Sequence, residues 1–174
     1  MTHGWIDDYD ARGFLGDARD AFRSQTTHNF VALDWSGGAK IADYVQAAAN
    51  TQSAGRAIAH MFNELKNNGF RANQFECSGH SLGSHVCSNA AKYAKSEFGF
   101  TINRVIGMDA AGPMFEKTTS AVRIDKSDAS FVDLIHTNSG NEDSGFLGIN
   151  AALGHADFFP NGGHNVSSGQ VSND

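Results

Sequence analysis

The sequence has 174 residues, which is the usual length of a single domain. Hydrophobic residues make up 40% of it and charged residues 18%, a composition that argues against intrinsic disorder for most of the chain. A formal net charge of -6, with no cluster of basic residues, argues against nucleic-acid binding. No apolar run approaches the roughly 18 residues of a transmembrane helix. The first five residues lack the basic and apolar regions of a signal peptide.

Short apolar runs alternate with longer helical patterns along the chain. In chain order, the patterns predict a strand at 29–34, a helix at 44–68, a strand at 73–78, a helix at 82–97, and strands at 102–108 and 131–136. This alternation is typical of an α/β fold with a mainly parallel sheet. We expect one domain over residues 1–166 and a disordered tail over 167–174.

The segment Gly79-His80-Ser81-Leu82-Gly83 fits the pattern G-x-S-x-G, with a predicted strand before it and a predicted helix after it. In this context the turn holds Ser81 in a strained conformation that exposes its hydroxyl. The glycines leave room for the neighbouring strand and helix, and the helix directs free N–H groups toward the same point. Outside such a context, the motif is only a Gly/Ser-rich turn. The sequence therefore predicts Ser81 as a nucleophile.

A nucleophilic serine needs an orienting acid and a base. Asp109 ends the next predicted strand, and active residues of open α/β sheets lie at the carboxyl ends of strands. Only His136, His155 and His164 follow Asp109 in the chain. Structural roles are expected for the first two of these histidines and a solvated loop position for His164, so the sequence offers no convincing base.

A longer ordered series of segments resembles the pancreatic lipase family of secreted lipases and phospholipases A1, especially its invertebrate members. The segments with this resemblance are at 3–5, 31–39, 79–86, 107–113, 123–129, 131–137 and 154–163. The resemblance implies a partial α/β-hydrolase fold and hydrolysis of a carboxylic ester in triacylglycerol or phospholipid. It also implies an extracellular protein of lipid degradation whose chemistry requires no organic cofactor.

The resemblance also implies roles for individual residues. Ser81 and Asp109 would be the nucleophile and the acid of a catalytic triad, and the backbone N–H groups of Trp5 and Leu82 would form the oxyanion hole. The loop after Asp109 resembles the family's calcium site. Its ligands would be two carbonyls and two carboxylates, those of Ser120, Arg123, Asp125 and Asp128.

The chain departs from the family pattern after Gly163, where a lid, the catalytic histidine and a C-terminal β-sandwich would be expected. We therefore expect a fragment of a lipase that acts at a lipid–water interface and is nearly inactive alone. A non-catalytic lipid-binding or yolk-type relative is the alternative, and a calcium-binding structural module is a weaker one. Cys77 and Cys87 are expected to be buried small hydrophobic residues, with a disulfide possible only if their Cα atoms lie within about 7 Å.

Overall fold

The computed structural model describes residues 1–140 and 145–164. Within them, the fold consists of a sheet of four parallel strands and the flanking helices α1 to α4. The strands are β1 (Glu76–His80), β2 (Arg104–Met108), β3 (Phe131–Ile135) and β4 (Ala156–Phe158), in the spatial order β1-β2-β3-β4. The helices are α1 (Phe14–Gln25), α2 (Ser36–Ala39), α3 (Tyr44–Asn67) and α4 (Leu82–Phe98), with 3-10 turns at Ala72–Gln74 and Pro160–Gly163. The expected α/β class is confirmed.

Helices α3 and α4 pack against each other over one side of the core. Asp43 caps α3 by accepting the N–H of Gln46 at 3.1 Å. The predicted apolar face of α3 is buried through Ile58 and Phe62, and the Phe62 ring stacks on Phe75 at 4.9 Å. Full burial of a side chain of this size stabilises a fold by about 1.5–3 kcal/mol. The apolar periodicity therefore places α3 correctly.

The N-terminal residues extend the sheet beyond β1. Thr2 forms parallel bridges with Gly79 of β1 on one side and with Leu33 on the other. Its N–H donates to the carbonyl of Ser78 at 3.0 Å, and its own carbonyl accepts the N–H of His80 at 3.2 Å. The chain that follows Thr2 is therefore carried to the carboxyl end of β1.

Several predicted boundaries are wrong. The run 29–34 forms no strand, because only Leu33 makes a bridge and Val31 is half exposed. The predicted strand 73–78 begins as a 3-10 turn, and β1 runs on to His80 because its partner β2 continues to Met108. Strand β2 starts two residues later than expected, and β3 ends one residue earlier.

Helices α1 and α2 and strand β4 were not predicted. Helix α1 buries only Leu15 and Gly16, so it lacks the broad apolar stripe that marks a packed helix. Strand β4 has three residues, too few for a recognisable alternation. The expected tail at 167–174 lies outside the described residues. Within the described part of the chain, no helix combines the length and apolarity needed to cross a membrane.

The two cysteines are buried, as expected, and they meet the distance condition for a disulfide that the sequence left open. Cys77 of β1 and Cys87 of α4 form a disulfide with a Cα–Cα distance of 5.4 Å. Both residues are buried. The strand enters the Ser81 turn and the helix leaves it on the same side, which brings the cysteines within bonding distance. The disulfide thus clamps the two arms of the turn together.

Candidate active site

Ser81 lies at the junction of β1 and α4. Its backbone is strained, with φ 54° and ψ -122°, and it is the N-cap residue of α4. A non-glycine residue with a positive φ of this kind marks a conformation that the surroundings must enforce. The N–H of Ser81 donates to the carbonyl of Met108 at 3.0 Å. Ser81 therefore stands at the carboxyl edge of the sheet, directly before the N-terminus of α4.

The two glycines of the motif make the sharp turn possible. A Cβ on Gly79 would lie 2.0 Å from the carbonyl oxygen of Gly83. A Cβ on Gly83 would lie 2.6 Å from the carbonyl oxygen of His3 and 2.8 Å from that of Thr2. Backbone meets backbone at both positions, so neither contact can be relieved by a side-chain rotation. The spacing of the glycines follows from this three-way contact of strand, helix and N-terminal segment.

The N-terminal segment passes directly beside the serine side chain. A Cβ on Gly4 would lie 2.9 Å from the Cβ of Ser81 and 3.3 Å from its Oγ. The backbone of Gly4 is therefore next to the hydroxyl. Beyond it, the indole of Trp5 is held by its Nε1–H, which donates to the carbonyl of Ile41 at 2.8 Å. Trp5 therefore directly follows the residue that lies beside Ser81.

His3 supports this segment from behind, a role that the sequence did not suggest. The side chain is fully buried and stacks on the indole of Trp35. Its Nε2 accepts the N–H of Trp35 at 3.1 Å, while the indole N–H of Trp35 donates to the carbonyl of His3 at 2.9 Å. The only available signal was the presence of His3 and Trp35 in the segments that carry the family resemblance.

Asp109 lies at the corresponding position of the neighbouring strand. His80 pairs with Met108 in the parallel register, so Ser81 and Asp109 follow paired residues at the same edge. Asp109 also has a positive φ, of 49°. Its Oδ1 accepts the backbone N–H groups of Thr137 at 3.1 Å and Asn138 at 2.8 Å. These bonds fix one carboxylate oxygen and the orientation of the group.

The three histidines after Asp109 occupy different settings. His136 is buried, with Nδ1 2.9 Å from the carbonyl oxygen of Ile149 and Nε2 2.9 Å from the carboxylate of Asp157. His155 accepts the N–H of Val132 on its Nδ1 at 3.0 Å. His164 is exposed. The first two therefore have the structural positions that we expected from the sequence.

The four residues expected to bind calcium are only partly brought together. The Asp128 carboxylate and the Arg123 carbonyl converge, but on the Nζ of Lys92, at 2.7 Å and 2.8 Å. Asp125 instead accepts hydrogen bonds from the N–H and hydroxyl of Ser127 through its Oδ1. Ser120 is exposed. As placed, these donors do not fit a Ca²⁺ ion, and the calcium hypothesis stays a prediction.

Sequence comparisons agree with this architecture. A family model described as Lipase matches residues 1–172. The chain is 39% identical over 166 residues to a pancreatic triacylglycerol lipase of Mus musculus, covering 94% of the chain and 34% of the relative. It is 35% identical to the Homo sapiens pancreatic triacylglycerol lipase and 36% identical to a pancreatic lipase-related protein 2 of Myocastor coypus, with the same coverage of both chains. The chain thus spans about a third of the length of these relatives.

The parallel sheet with flanking helices, with Ser81 in a tight strand-to-helix turn, defines a partial α/β-hydrolase fold. The chain belongs to the lipase family. The resemblance identified from the sequence motifs is therefore confirmed. Ser81 and Asp109 each follow one of two paired residues on adjacent strands. A nucleophile and a triad acid would need to lie at one edge of the sheet in this way.

Proposed function

We propose that this chain carries the nucleophile, the acid and the oxyanion hole of a serine carboxylic ester hydrolase that acts on triacylglycerol or phospholipid. The observation that carries the proposal is the pairing of Ser81 and Asp109, which follow paired residues of adjacent strands and both have positive φ. Strained backbone at neighbouring strand ends is typical of catalytic positions. The matching family supports the reaction class.

In this mechanism, the Oγ of Ser81 attacks the ester carbonyl, and the alcohol leaves as an acyl-enzyme forms. The negative charge on the carbonyl oxygen is stabilised by the N–H groups of Trp5 and Leu82. The first is adjacent to Gly4, which touches Ser81, and the second is at the N-terminus of α4. Water then hydrolyses the acyl-enzyme. No step of this reaction needs an organic cofactor.

Asp109 would orient the imidazole that serves as the base. Its Oδ1 is held by two backbone N–H groups, and its Oδ2 would accept the imidazole N–H. All eight histidines lie within the described residues. His3, His85, His136 and His155 are each held by polar contacts elsewhere. Among the described residues, no hydrogen bond joins any of the eight to Asp109 or to the Ser81 hydroxyl, so we expect this chain alone to be nearly inactive, since a base contributes roughly 10²–10⁴-fold.

A lipid substrate is supported by the names of the relatives and by the surface around the site. Large apolar side chains are exposed in loops that adjoin the carboxyl edge: Ile6 at 60%, Met114 at 53% and Leu147 at 58%. Such a surface suits contact with a lipid–water interface. We also propose an extracellular location, because the Cys77–Cys87 disulfide is typical of oxidising compartments.

The experiment is covalent labelling of the chain by a fluorophosphonate, with and without added imidazole, followed by mass spectrometry. Imidazole should take the place of the missing base and raise the labelling of Ser81 at least tenfold. Ser81→Ala should abolish the labelling, and Ser96→Ala, a change at an exposed serine of α4, should not. Labelling that survives Ser81→Ala would refute the proposed nucleophile.

The second candidate is a non-catalytic lipid-binding homologue. It is favoured because the buried histidines are hydrogen-bonded to groups other than Ser81 and Asp109. In that case imidazole would not raise labelling, but the chain would still bind phospholipid vesicles or a triacylglycerol emulsion. Rapid labelling without imidazole, abolished by Ser81→Ala, would show that a histidine of this chain already acts as the base. The labelling experiment therefore separates the three possibilities.

A further inference from the structure

Helix α4 presents a stripe of polar residues to the loop that leads into β3. His85, Ser88 and Lys92 follow one another at intervals of three and four positions, so they share one face of the helix. Both nitrogens of His85 contact loop backbone. Nε2 lies 2.9 Å from the carbonyl oxygen of Ala111, and Nδ1 accepts the N–H of Ile124 at 3.2 Å. The other two residues of the stripe meet Asp128.

Lys92 and Asp128 form the centre of this contact. The carboxylate of Asp128 is 1% exposed and the side chain of Lys92 is 23% exposed. The Nζ of Lys92 lies 2.7 Å from Oδ1 of Asp128 and donates to Oγ of Ser88 at 2.6 Å and to the carbonyl of Arg123 at 2.8 Å. Three oxygens thus match the three N–H donors of one ammonium group.

The second oxygen of Asp128 is also occupied. Its Oδ2 accepts the hydroxyl of Ser88 at 2.7 Å and the backbone N–H of Asp125 at 3.0 Å. A buried carboxylate is tolerated when its charge is paired and its oxygens are hydrogen-bonded. Both conditions are met here by groups of the protein itself.

The acids of the loop are also compensated without a metal ion. The positive charges of Lys92 and Arg123 both act on Asp125, and Lys92 pairs directly with Asp128. The two acids of the loop are thus matched by these two cations, and the exposed Lys126 adds a third positive charge. A divalent cation added to this cluster would leave at least two uncompensated positive charges, and it would have to displace the ammonium from the oxygens that it needs as ligands.

We propose that the ammonium group of Lys92 is the built-in cation of this loop and holds residues 123–128 to helix α4 in place of a divalent metal ion. The proposal concerns a tie between two elements, independent of the reaction proposed for Ser81. It differs from the calcium site that the family resemblance implies. The loop should therefore be formed and stable in the presence of a chelator.

The first test uses the unaltered chain. Thermal unfolding is followed in EGTA and in 5 mM Ca²⁺, with calorimetric titration of Ca²⁺ alongside. The two unfolding midpoints should agree within about 1 °C, and the titration should show no binding. A site whose dissociation constant is a hundredth of the calcium concentration would raise the midpoint by about 5–10 °C. A rise of that size would overturn the proposal.

The second test removes the ammonium. Lys92→Met leaves the carboxylate of Asp128 buried and unpaired, and should lower the unfolding midpoint by about 6 °C or more. Lys95→Met, on the exposed side of the same helix, is the matched control and should change the midpoint by less than about 2 °C. Adding Asp128→Asn to Lys92→Met should recover part of the loss. Equal effects of Lys92→Met and Lys95→Met would overturn the proposal.

Discussion

His85 makes the stability of this fold dependent on pH. Its ring is fully buried and stacks on Phe115 with the centroids 3.5 Å apart. Because a carbonyl oxygen can only accept, Nε2 carries the proton that is donated to Ala111. Nδ1 accepts the N–H of Ile124 and must therefore be unprotonated. A second proton on the ring would oppose the N–H of Ile124.

Burial is the main cause that lowers the pKa of His85, to about 3, and the positive charges of Lys92 and Arg123 act in the same direction. The hydrogen bond to Ala111 opposes the shift. The unfolded chain binds the proton near the ordinary pKa of about 6.5. Between these two values the unfolded state holds more protons than the folded state, so stability falls as the pH falls through this window.

The magnitude follows from about 1.36 kcal/mol for each pH unit within the window. From pH 7 to pH 5, His85 should cost about 2 kcal/mol of unfolding free energy, and more as the pH approaches 3. Urea unfolding at pH 7, 6 and 5, followed by tryptophan fluorescence, measures this slope. The comparison is between the unaltered chain and His85→Gln, in which an amide can still donate to Ala111.

The difference between the two slopes isolates His85, because every other titrating group is common to both chains. His85→Gln should lose about 2 kcal/mol less stability than the unaltered chain between pH 7 and pH 5. His28→Gln, a change at an exposed histidine, should leave the slope unchanged. Equal slopes for the unaltered chain and His85→Gln would refute the argument.

Two further predictions concern the turn at Ser81. Replacing Cys77 and Cys87 with alanine opens a loop with a sequence separation of 10, so we expect a loss of about 2.7 kcal/mol in urea unfolding; an unchanged midpoint would contradict the disulfide. Gly79→Ala puts a Cβ 2.0 Å from a backbone oxygen and should cost at least about 3 kcal/mol, whereas Gly37→Ala, with nothing within 4 Å, should be nearly neutral. Similar midpoints for the two alanine variants would contradict the close approach at Gly79.

The parts of the fold that the sequence predicted have strong local signals. Helix α3 has an apolar face of regular spacing, and the turn at Ser81 has glycines at fixed positions on both sides. These features depend on neighbours in the sequence, so they can be recognised without a structure. Asp109 was proposed as the acid because it ends a predicted strand, and parallel strands bring their carboxyl ends to one edge, where the structure places it together with Ser81.

The parts that the sequence left open or missed depend on how separate elements pack together. The disulfide forms because β1 and α4 turn back on each other, and no pattern in the sequence gives that distance. The ion pair of Lys92 and Asp128 joins residues 36 positions apart. No sequence pattern distinguishes Lys92 from the other polar residues of α4. Its role is visible only once the loop of Asp128 is placed against it.

Helix α4 connects these observations into one physical argument. Its first turn presents N–H groups beside Ser81, where the proposed reaction would need dipoles already in position to stabilise an oxyanion. The strained backbone of Ser81 costs on the order of 1–3 kcal/mol, so the surrounding contacts must hold it. Cys87 ties the helix to β1, and His85 and Lys92 tie it to the loops after β2. The helix is thereby fixed on two sides, and the position of its N-terminus beside Ser81 follows from those contacts.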